Sequence, residues 1–89
     1  GGKVSDNTIY SIILRLRELY LLSCIKNKKT PSNKELIKLI KKITDSEESY
    51  EAYLRIKNNK PSKNEINVTQ ARKLINYLKL KIRSYGKKK

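Results

Sequence analysis

The chain has 89 residues, 37% of them apolar and 34% charged, and it contains one Cys but no His, Trp, Phe or Met. This length predicts one small domain without the interior for a roomy enzyme cleft, and the lack of His excludes imidazole catalysis and an ordinary zinc site. A total of 22 Lys and Arg residues against 8 Asp and Glu gives a formal net charge of +14. Such a charge predicts a polyanionic partner, most commonly nucleic acid, although an anionic membrane surface or a ribosome-like assembly would suit it too.

The first predicted helix covers residues 6–27. Ser5 or Asp6 is a suitable N-cap, and apolar residues recur from Ile9 onward at spacings of three and four. Apolar residues on its other sides indicate a helix at the centre of the bundle, with the remaining helices packed on it. Residues 1–5 are expected to be a tag or a disordered start, because two glycines open the chain, and the whole chain is expected to be a piece of a longer protein.

Three charged residues, Arg15, Arg17 and Glu18, interrupt this apolar helix. They exclude a membrane span and an export signal. Together with the single Cys24, which we interpret as a small core residue, they predict a cytoplasmic protein without a membrane partner. Because a charge inside an apolar helix is costly unless paired, Arg15 and Glu18 are predicted to pair. In the functional alternative, Arg15 or Arg17 emerges in a groove and holds a phosphate.

The second predicted helix covers residues 33–44 and the third covers residues 46–58. One face of the second helix is apolar and the opposite face carries lysines. The third helix has acidic residues near its start and lysines near its end, which the helix dipole favours. The predicted caps are Ser32 for the second helix, with Glu35 completing a capping box, and Asp45 or Ser46 for the third.

The fourth predicted helix covers residues 68–85. Asn67 and Gln70 are placed to start it, while Ser62 and Glu65 offer another capping box a few residues earlier. The apolar periodicity is strongest after the later pair, which places the start of the helix at residue 68.

The predicted fold is all-α, because no alternating pattern of strand length stands between turn signals. We expect a small bundle of about four helices around the central apolar first helix, forming a single domain over residues 6–85. Gly86 stops the last helix, and residues 86–89 form a basic tail.

Two lysine-flanked Pro-Ser segments, KKTPSNKE at residues 28–35 and NKPSKNE at residues 59–65, are nearly the same. Helix N–H groups beside ammonium groups suit a phosphate, so both segments are candidate anion sites whose lysines contact phosphates without reading sequence. In the alternative interpretation, Pro, Ser and Glu only start helices and the lysines only solvate a loop. The candidate residues are Lys26, Lys28, Lys29, Ser32, Asn33, Lys34, Lys60 and Lys63.

A further candidate site combines Tyr50 and Tyr53 with Arg55 and Lys57. Tyrosines one turn from Arg and Lys are typical of sites that stack a base and hold its phosphates. In the alternative, the tyrosines belong to the core and Arg55 pairs with Glu51.

The segments DNTIYSIILRLRELYLLSCIKNKK, PSNKELIKLI and YEAYLRIKNNK resemble the small helix-bundle domain that follows the catalytic core in archaeal plasmid replication primase-polymerases. The resemblance covers most of the chain. It implies a module that binds single-stranded template DNA and nucleoside triphosphates and helps a catalytic domain of the same protein to start a primer. No intrinsic cofactor is implied, and Mg²⁺ would arrive with ATP as bound substrate. The arrangement is also similar to the substrate-holding helical domain of small archaeal nucleotidyltransferases.

The chain by itself is not expected to be an enzyme, because it contains no catalytic carboxylate motif, Ser/His/Asp set or phosphate-binding loop. The charge exceeds what nucleotide binding requires and favours a DNA template. A double-stranded DNA-binding regulator with one helix in the major groove is a second possibility, although residues 44–46 join the second and third helices abruptly for such a motif. A protein-interaction scaffold is a third.

Overall fold

A computed structural model describes residues 2–86, with the side chains of residues 2–84. It contains four helices, α1 (Asp6–Lys26), α2 (Asn33–Thr44), α3 (Glu48–Lys57) and α4 (Val68–Gly86), and two short strands, β1 (Lys3–Val4) and β2 (Ile66–Asn67). The prediction of a small helical bundle is confirmed. The predicted basic tail lies outside the described residues, apart from Gly86 at the end of α4.

The start of the chain is structured from β1 onward, so the expectation of a disordered segment there is wrong for Lys3–Val4. Lys3–Val4 pairs antiparallel with Ile66–Asn67, and the Val68 N–H donates to the Gly2 carbonyl at 3.0 Å. Ser5 is the N-cap of α1 and accepts a hydrogen bond from the Thr8 N–H. A strand of two residues has no detectable alternation, so this pairing left no signal in the sequence.

The core is shared by all four helices. α1 packs most extensively on α3 and also on α4, and α2 packs on both of these helices. Cys24 is buried, which confirms its interpretation as a core residue. The apolar side chains around α1 are only partly covered, since Leu22 is 54% and Ile25 74% exposed. The main buried cluster consists of Ile9, Ile12, Ile13, Leu16, Leu36, Ile40, Ala52, Tyr53, Ile66, Ala71, Leu74 and Leu78.

Of the two residues predicted to cap α3, Ser46 makes a capping hydrogen bond and Asp45 does not. Asp45 adopts a left-handed conformation with φ 61° as the C-cap of α2, so it does not cap α3. The N-cap position of α3 is Glu47, which makes no side-chain capping bond. The Ser46 hydroxyl instead accepts the Glu48 N–H at 3.0 Å.

The start of α4 is set by Asn67, whose Oδ1 accepts the Thr69 N–H at 2.8 Å. Gln70 does not complete a capping box, because its side chain accepts a hydrogen bond from the Ser49 hydroxyl at 2.6 Å and donates to Glu48 at 2.8 Å. These contacts fix the start of α4 against the start of α3. The second Pro-Ser segment therefore does not begin a helix.

Both Pro-Ser segments follow a helix that ends in the same way. After α1, Lys28 has φ 54°, and the N–H groups of Lys28 and Lys29 donate to the carbonyls of Ile25 and Cys24. After α3, the same pair of hydrogen bonds forms around Asn59, whose φ is 56°. This pattern is the Schellman motif, which closes a helix by satisfying its last carbonyls. The two similar segments therefore both begin with the same type of helix C-terminus.

Candidate nucleic-acid interface

The first Pro-Ser segment is held against α1 by Tyr20. The Tyr20 hydroxyl accepts the Ser32 N–H at 2.9 Å and donates to Glu35 Oε1 at 2.8 Å. Lys29 pairs with the same Glu35 carboxylate at 3.1 Å. The Ser32 hydroxyl accepts the Glu35 N–H at 3.4 Å, as a cap of α2 should. Since Tyr20 takes the Ser32 N–H, the predicted capping box is only half formed.

These contacts shift the pKa values of two groups in opposite directions. Burial, with a contribution from the hydrogen bond to Glu35, raises the pKa of Tyr20 to about 12. The hydrogen bonds from Tyr20 and Lys29 lower the pKa of Glu35. At neutral pH, Tyr20 is therefore a neutral donor and Glu35 is a carboxylate, so Lys29 faces an opposite charge within the protein.

The second Pro-Ser segment is held against the start of α1 by Asp6. Arg55 donates two hydrogen bonds to the Asp6 carboxylate, at 2.7 and 3.1 Å. The N–H groups of Lys63 and Asn64 donate two more, at 3.1 and 3.2 Å, and Asn64 Oδ1 accepts the Asp6 N–H at 2.9 Å. The Asp6 side chain is 0% exposed and that of Arg55 is 17% exposed. Arg55 is therefore the partner of Asp6, which neither interpretation of the sequence anticipated.

The environment of Asp6 favours its charged form. The hydrogen bonds from Arg55 lower the pKa of Asp6, and the backbone N–H groups add to this against the opposing effect of burial. The same pair raises the pKa of Arg55. The segment is thus fixed by a charged, fully satisfied carboxylate.

The lysines around the two Pro-Ser segments do not form one site. The first segment contacts α1 at Tyr20 and the second contacts it at Asp6. The stretch of α1 between these residues is roughly 21 Å long at about 1.5 Å per residue. Each segment presents its own exposed lysines, namely Lys26, Lys28, Lys29 and Lys34 around the first, and Lys60 and Lys63 in the second.

The tyrosines of α3 stack inside the protein. Tyr53 is 5% exposed, and its ring centroid lies 5.2 Å from that of Tyr10 and 5.8 Å from that of Tyr50. The Lys57 ammonium lies 5.9 Å from the Tyr53 centroid. Tyr50 is half-buried. The three rings therefore stack on one another, and Tyr53 does not present the exposed ring face that stacking on a base requires.

The charged residues of α1 lie at the surface. Arg15, Arg17 and Glu18 are exposed, so the cost of a buried charge does not arise. In the described part of the chain, Arg15 and Glu18 do not form the predicted ion pair. Arg17 shares a surface depression of about 250 Å³ with Ser32 and Asn33. The structure thus brings these three predicted site residues together, and it places Arg15 apart from them.

α2 and α4 each carry several exposed basic side chains, whereas the exposed start of α3 is acidic. Glu47, Glu48 and Glu51 are exposed there, and Glu47 pairs with Lys41 at 3.2 Å. α4 contains no acidic residue. The exposed basic side chains are Lys34, Lys38, Lys41 and Lys42 on α2, and Arg72, Lys73, Lys79, Lys81 and Arg83 on α4. We call these residues the α2/α4 basic surface.

A groove beside this surface escaped the sequence analysis. It lies between the second halves of α1 and α4, is bordered by Leu39 of α2 and has a volume of about 270 Å³. Tyr77 lines it, half-buried, with the Lys81 ammonium 5.4 Å from its ring centroid. The sequence does carry a signal for it, because Lys73, Tyr77 and Lys81 follow at steps of four, as Tyr53 and Lys57 do in the predicted site on α3.

Within residues 2–86, the acidic and Cys side chains do not gather into a group that could hold a metal ion. The described helices also include none that is both long and apolar enough to span a bilayer. Comparisons with protein families, curated proteins and solved structures found no match to this chain.

Proposed function

We propose that this protein is a non-catalytic module that binds single-stranded DNA through the α2/α4 basic surface. The observation that carries the proposal is the uneven distribution of its +14 net charge. Asp6, Glu35 and Glu47 are each paired with a basic residue of the protein itself, while α4 contributes only positive charge. A surface of one sign attracts a polyanion and raises its rate of association.

Binding would draw most of its free energy from phosphate contacts. Lysine ammonium groups on the surface neutralise phosphates and release condensed counterions, so affinity falls steeply with salt. Because ammonium groups read charge and not base identity, this part of the interaction has no sequence preference. The module therefore suits a template strand whose sequence varies.

The polarity of α3 favours a single strand over duplex recognition by a helix-turn-helix motif. A recognition helix places its first residues against base edges in the major groove. The first turns of α3 instead expose Glu48 and Glu51, which repel the phosphates that line a groove. The body of α3 is used for packing, since Ser49, Ala52 and Tyr53 are buried.

The biological setting that we propose comes from the sequence resemblance. The module would hold the template for a primase catalytic domain elsewhere in the parent protein, with nucleoside triphosphate and its Mg²⁺ as further ligands. Titration with ATP and Mg²⁺, in the presence and absence of DNA, tests this part separately from DNA binding.

The proposal is tested by fluorescence anisotropy with a labelled single strand of about 12 nucleotides and a duplex of equal length, over a series of salt concentrations. The single strand should bind more tightly than the duplex. Lys42→Glu, on the α2/α4 basic surface, should weaken binding and reduce the slope of log affinity against log salt by about one or more. Lys60→Glu is the matched control, because it changes the same charge on an exposed lysine of the second Pro-Ser segment.

Three results would contradict the proposal. The first is no binding of the single strand at low salt. The second is tighter binding of the duplex. The third is an equal loss of affinity in Lys42→Glu and Lys60→Glu, which would show that only total charge matters and that the α2/α4 basic surface has no special role.

A further inference from the structure

The groove between α1 and α4 has aromatic rings on two sides and a mixed lining, in which leucines lie beside Ser23, Asn27 and Ser84. Tyr77 and Lys81 stand on the α4 side, Tyr20 on the α1 side, and Leu16 and Leu39 lie in the lining. Its volume of about 270 Å³ falls just below the roughly 300–1,000 Å³ of pockets that enclose drug-sized ligands. The groove therefore suits one flat ring system more than a large ligand.

The charge of the lining selects the kind of molecule that can enter. Among the described residues, the lining of the groove includes Lys26 and Lys81 and no acidic side chain. Lys73, one turn before Tyr77 on α4, is also exposed. A flat ring that carries an anionic group fits this combination, because the ring can lie against a tyrosine face while its anion lies near ammonium groups.

Tyr77 is the side chain in this groove that can stack on a base. The hydroxyl of Tyr20 is committed to Ser32 and Glu35, which fixes that ring in the α1–α2 connection. The Tyr77 ring is half-buried, and its contact with Lys81 lies within its own helix. Stacking a base on an aromatic side chain contributes about 1–3 kcal/mol and accepts any base.

We infer that this groove holds one unstacked base of a single-stranded nucleic acid, with its ring against Tyr77 and an adjoining phosphate near Lys81. The inference rests on the proposed function and deepens it, because it names a contact that a duplex cannot make. In a duplex the bases are stacked and paired, whereas a single strand can turn one base into the groove.

The test compares an oligothymidylate of about 12 nucleotides with an abasic strand of equal length, which has the same phosphates but no bases. Wild type should bind the oligothymidylate roughly 5- to 150-fold more tightly than the abasic strand, which is the range for one stacked base. Tyr77→Leu, which keeps apolar volume but removes the ring, should lose this preference and keep the salt slope. Tyr50→Leu is the matched control, because Tyr50 is a half-buried tyrosine on α3, and it should keep the preference.

The outcomes separate this inference from the proposed function. Equal binding of the two strands by wild type, or an unchanged preference in Tyr77→Leu, would overturn the base site and leave phosphate-driven binding intact. Failure of wild type to bind either strand would overturn both. If far-ultraviolet circular dichroism shows that Tyr77→Leu is unfolded, the NMR ring resonances of Tyr77 in wild type provide the test. These resonances should shift upfield with oligothymidylate and not with the abasic strand.

Discussion

Replacing Asp6 with alanine removes the acceptor of four hydrogen bonds at the point where α1, α3 and the second Pro-Ser segment meet. Arg55 donates two of them, and the N–H groups of Lys63 and Asn64 donate the others. The Asp6 side chain is 0% exposed and the Arg55 side chain only 17% exposed. The variant therefore leaves a largely buried guanidinium without its counter-charge, together with two backbone donors without their acceptor.

The expected loss of stability is large for a domain of this size. Removing one partner of a buried ion pair costs about 3–5 kcal/mol, against a total stability of roughly 5–15 kcal/mol for a small domain. Asp6→Ala should therefore lower the free energy of unfolding by about 3 kcal/mol or more. Glu47→Ala is the control, because the Glu47–Lys41 pair is exposed, and it should change stability by less than about 1 kcal/mol.

The measurement is urea unfolding followed by far-ultraviolet circular dichroism at neutral pH, carried out as a double-mutant cycle. Arg55→Ala should also destabilise the protein, because it leaves the buried Asp6 carboxylate with backbone donors only. The double variant should lose less than the sum of the single variants, with a coupling of about 1–3 kcal/mol. A loss below about 0.5 kcal/mol for Asp6→Ala, or strict additivity, would refute a buried coupled pair.

Three further predictions concern pH and helix ends. Because the folded-state pKa of Asp6 lies below its usual value of about 3.9, the stability that Asp6 adds is present above about pH 4 and is lost as pH falls through the folded pKa. The free energy of urea unfolding should therefore fall less at acidic pH in Asp6→Asn than in wild type. An identical pH dependence in the two proteins would contradict this prediction. Tyr20 should ionise near its pKa of about 12, above the usual tyrosine value of about 10. The stability that Tyr20 adds is present below about pH 10 and is lost as pH rises through the folded pKa. Absorbance titration should show that Tyr20→Phe lacks this late step, and its persistence would contradict the assignment. Lys28→Gly should raise stability by up to about 1 kcal/mol, because φ at this position is 54° and glycine adopts that left-handed conformation without strain. Asn59→Gly should raise stability less, since Asn tolerates the conformation better than Lys does. A lower stability of Lys28→Gly in thermal melts would contradict the left-handed helix end.

Local signals were enough to predict the helices. Ser32 before an apolar periodicity marks the start of α2 at Asn33, and Asn67 marks the start of α4. These signals depend on residues within one helical turn, where capping and spacing act directly. The wrong assignment of Asp45 has the same origin, since its local sequence fits an N-cap of α3 but the residue is the C-cap of α2.

The contacts that determine the candidate site are long-range and left no local signal. Asp6 looks like an ordinary acidic residue in the first turn of a helix, and nothing near it in the sequence indicates that Arg55 will reach it. Tyr53 and Tyr77 have similar patterns around them, yet one is buried in a stack and the other lines a groove. Only the packing of the helices distinguishes Tyr53 from Tyr77, and the sequence around them carries no sign of that packing.

The two Pro-Ser segments show how a repeated sequence can serve structure twice. Each begins with a Schellman helix end, and each is then anchored to α1, the first by Tyr20 and the second by Asp6. The interpretation in which Pro, Ser and Glu start helices is correct for the first segment, where Ser32 caps α2, and wrong for the second, since Asn67 and not Ser62 caps α4. The lysines in both segments stay exposed and add to the general positive field.

The measurement that tests the account most directly is an amide NMR titration of the protein with oligothymidylate at moderate salt. We expect the largest shift changes at Tyr77, Lys81 and Lys42, with the exposed start of α3 around Glu51 unchanged. Changes centred on α3 and the second Pro-Ser segment, or changes spread evenly over all lysines, would contradict binding through the α2/α4 basic surface and its groove.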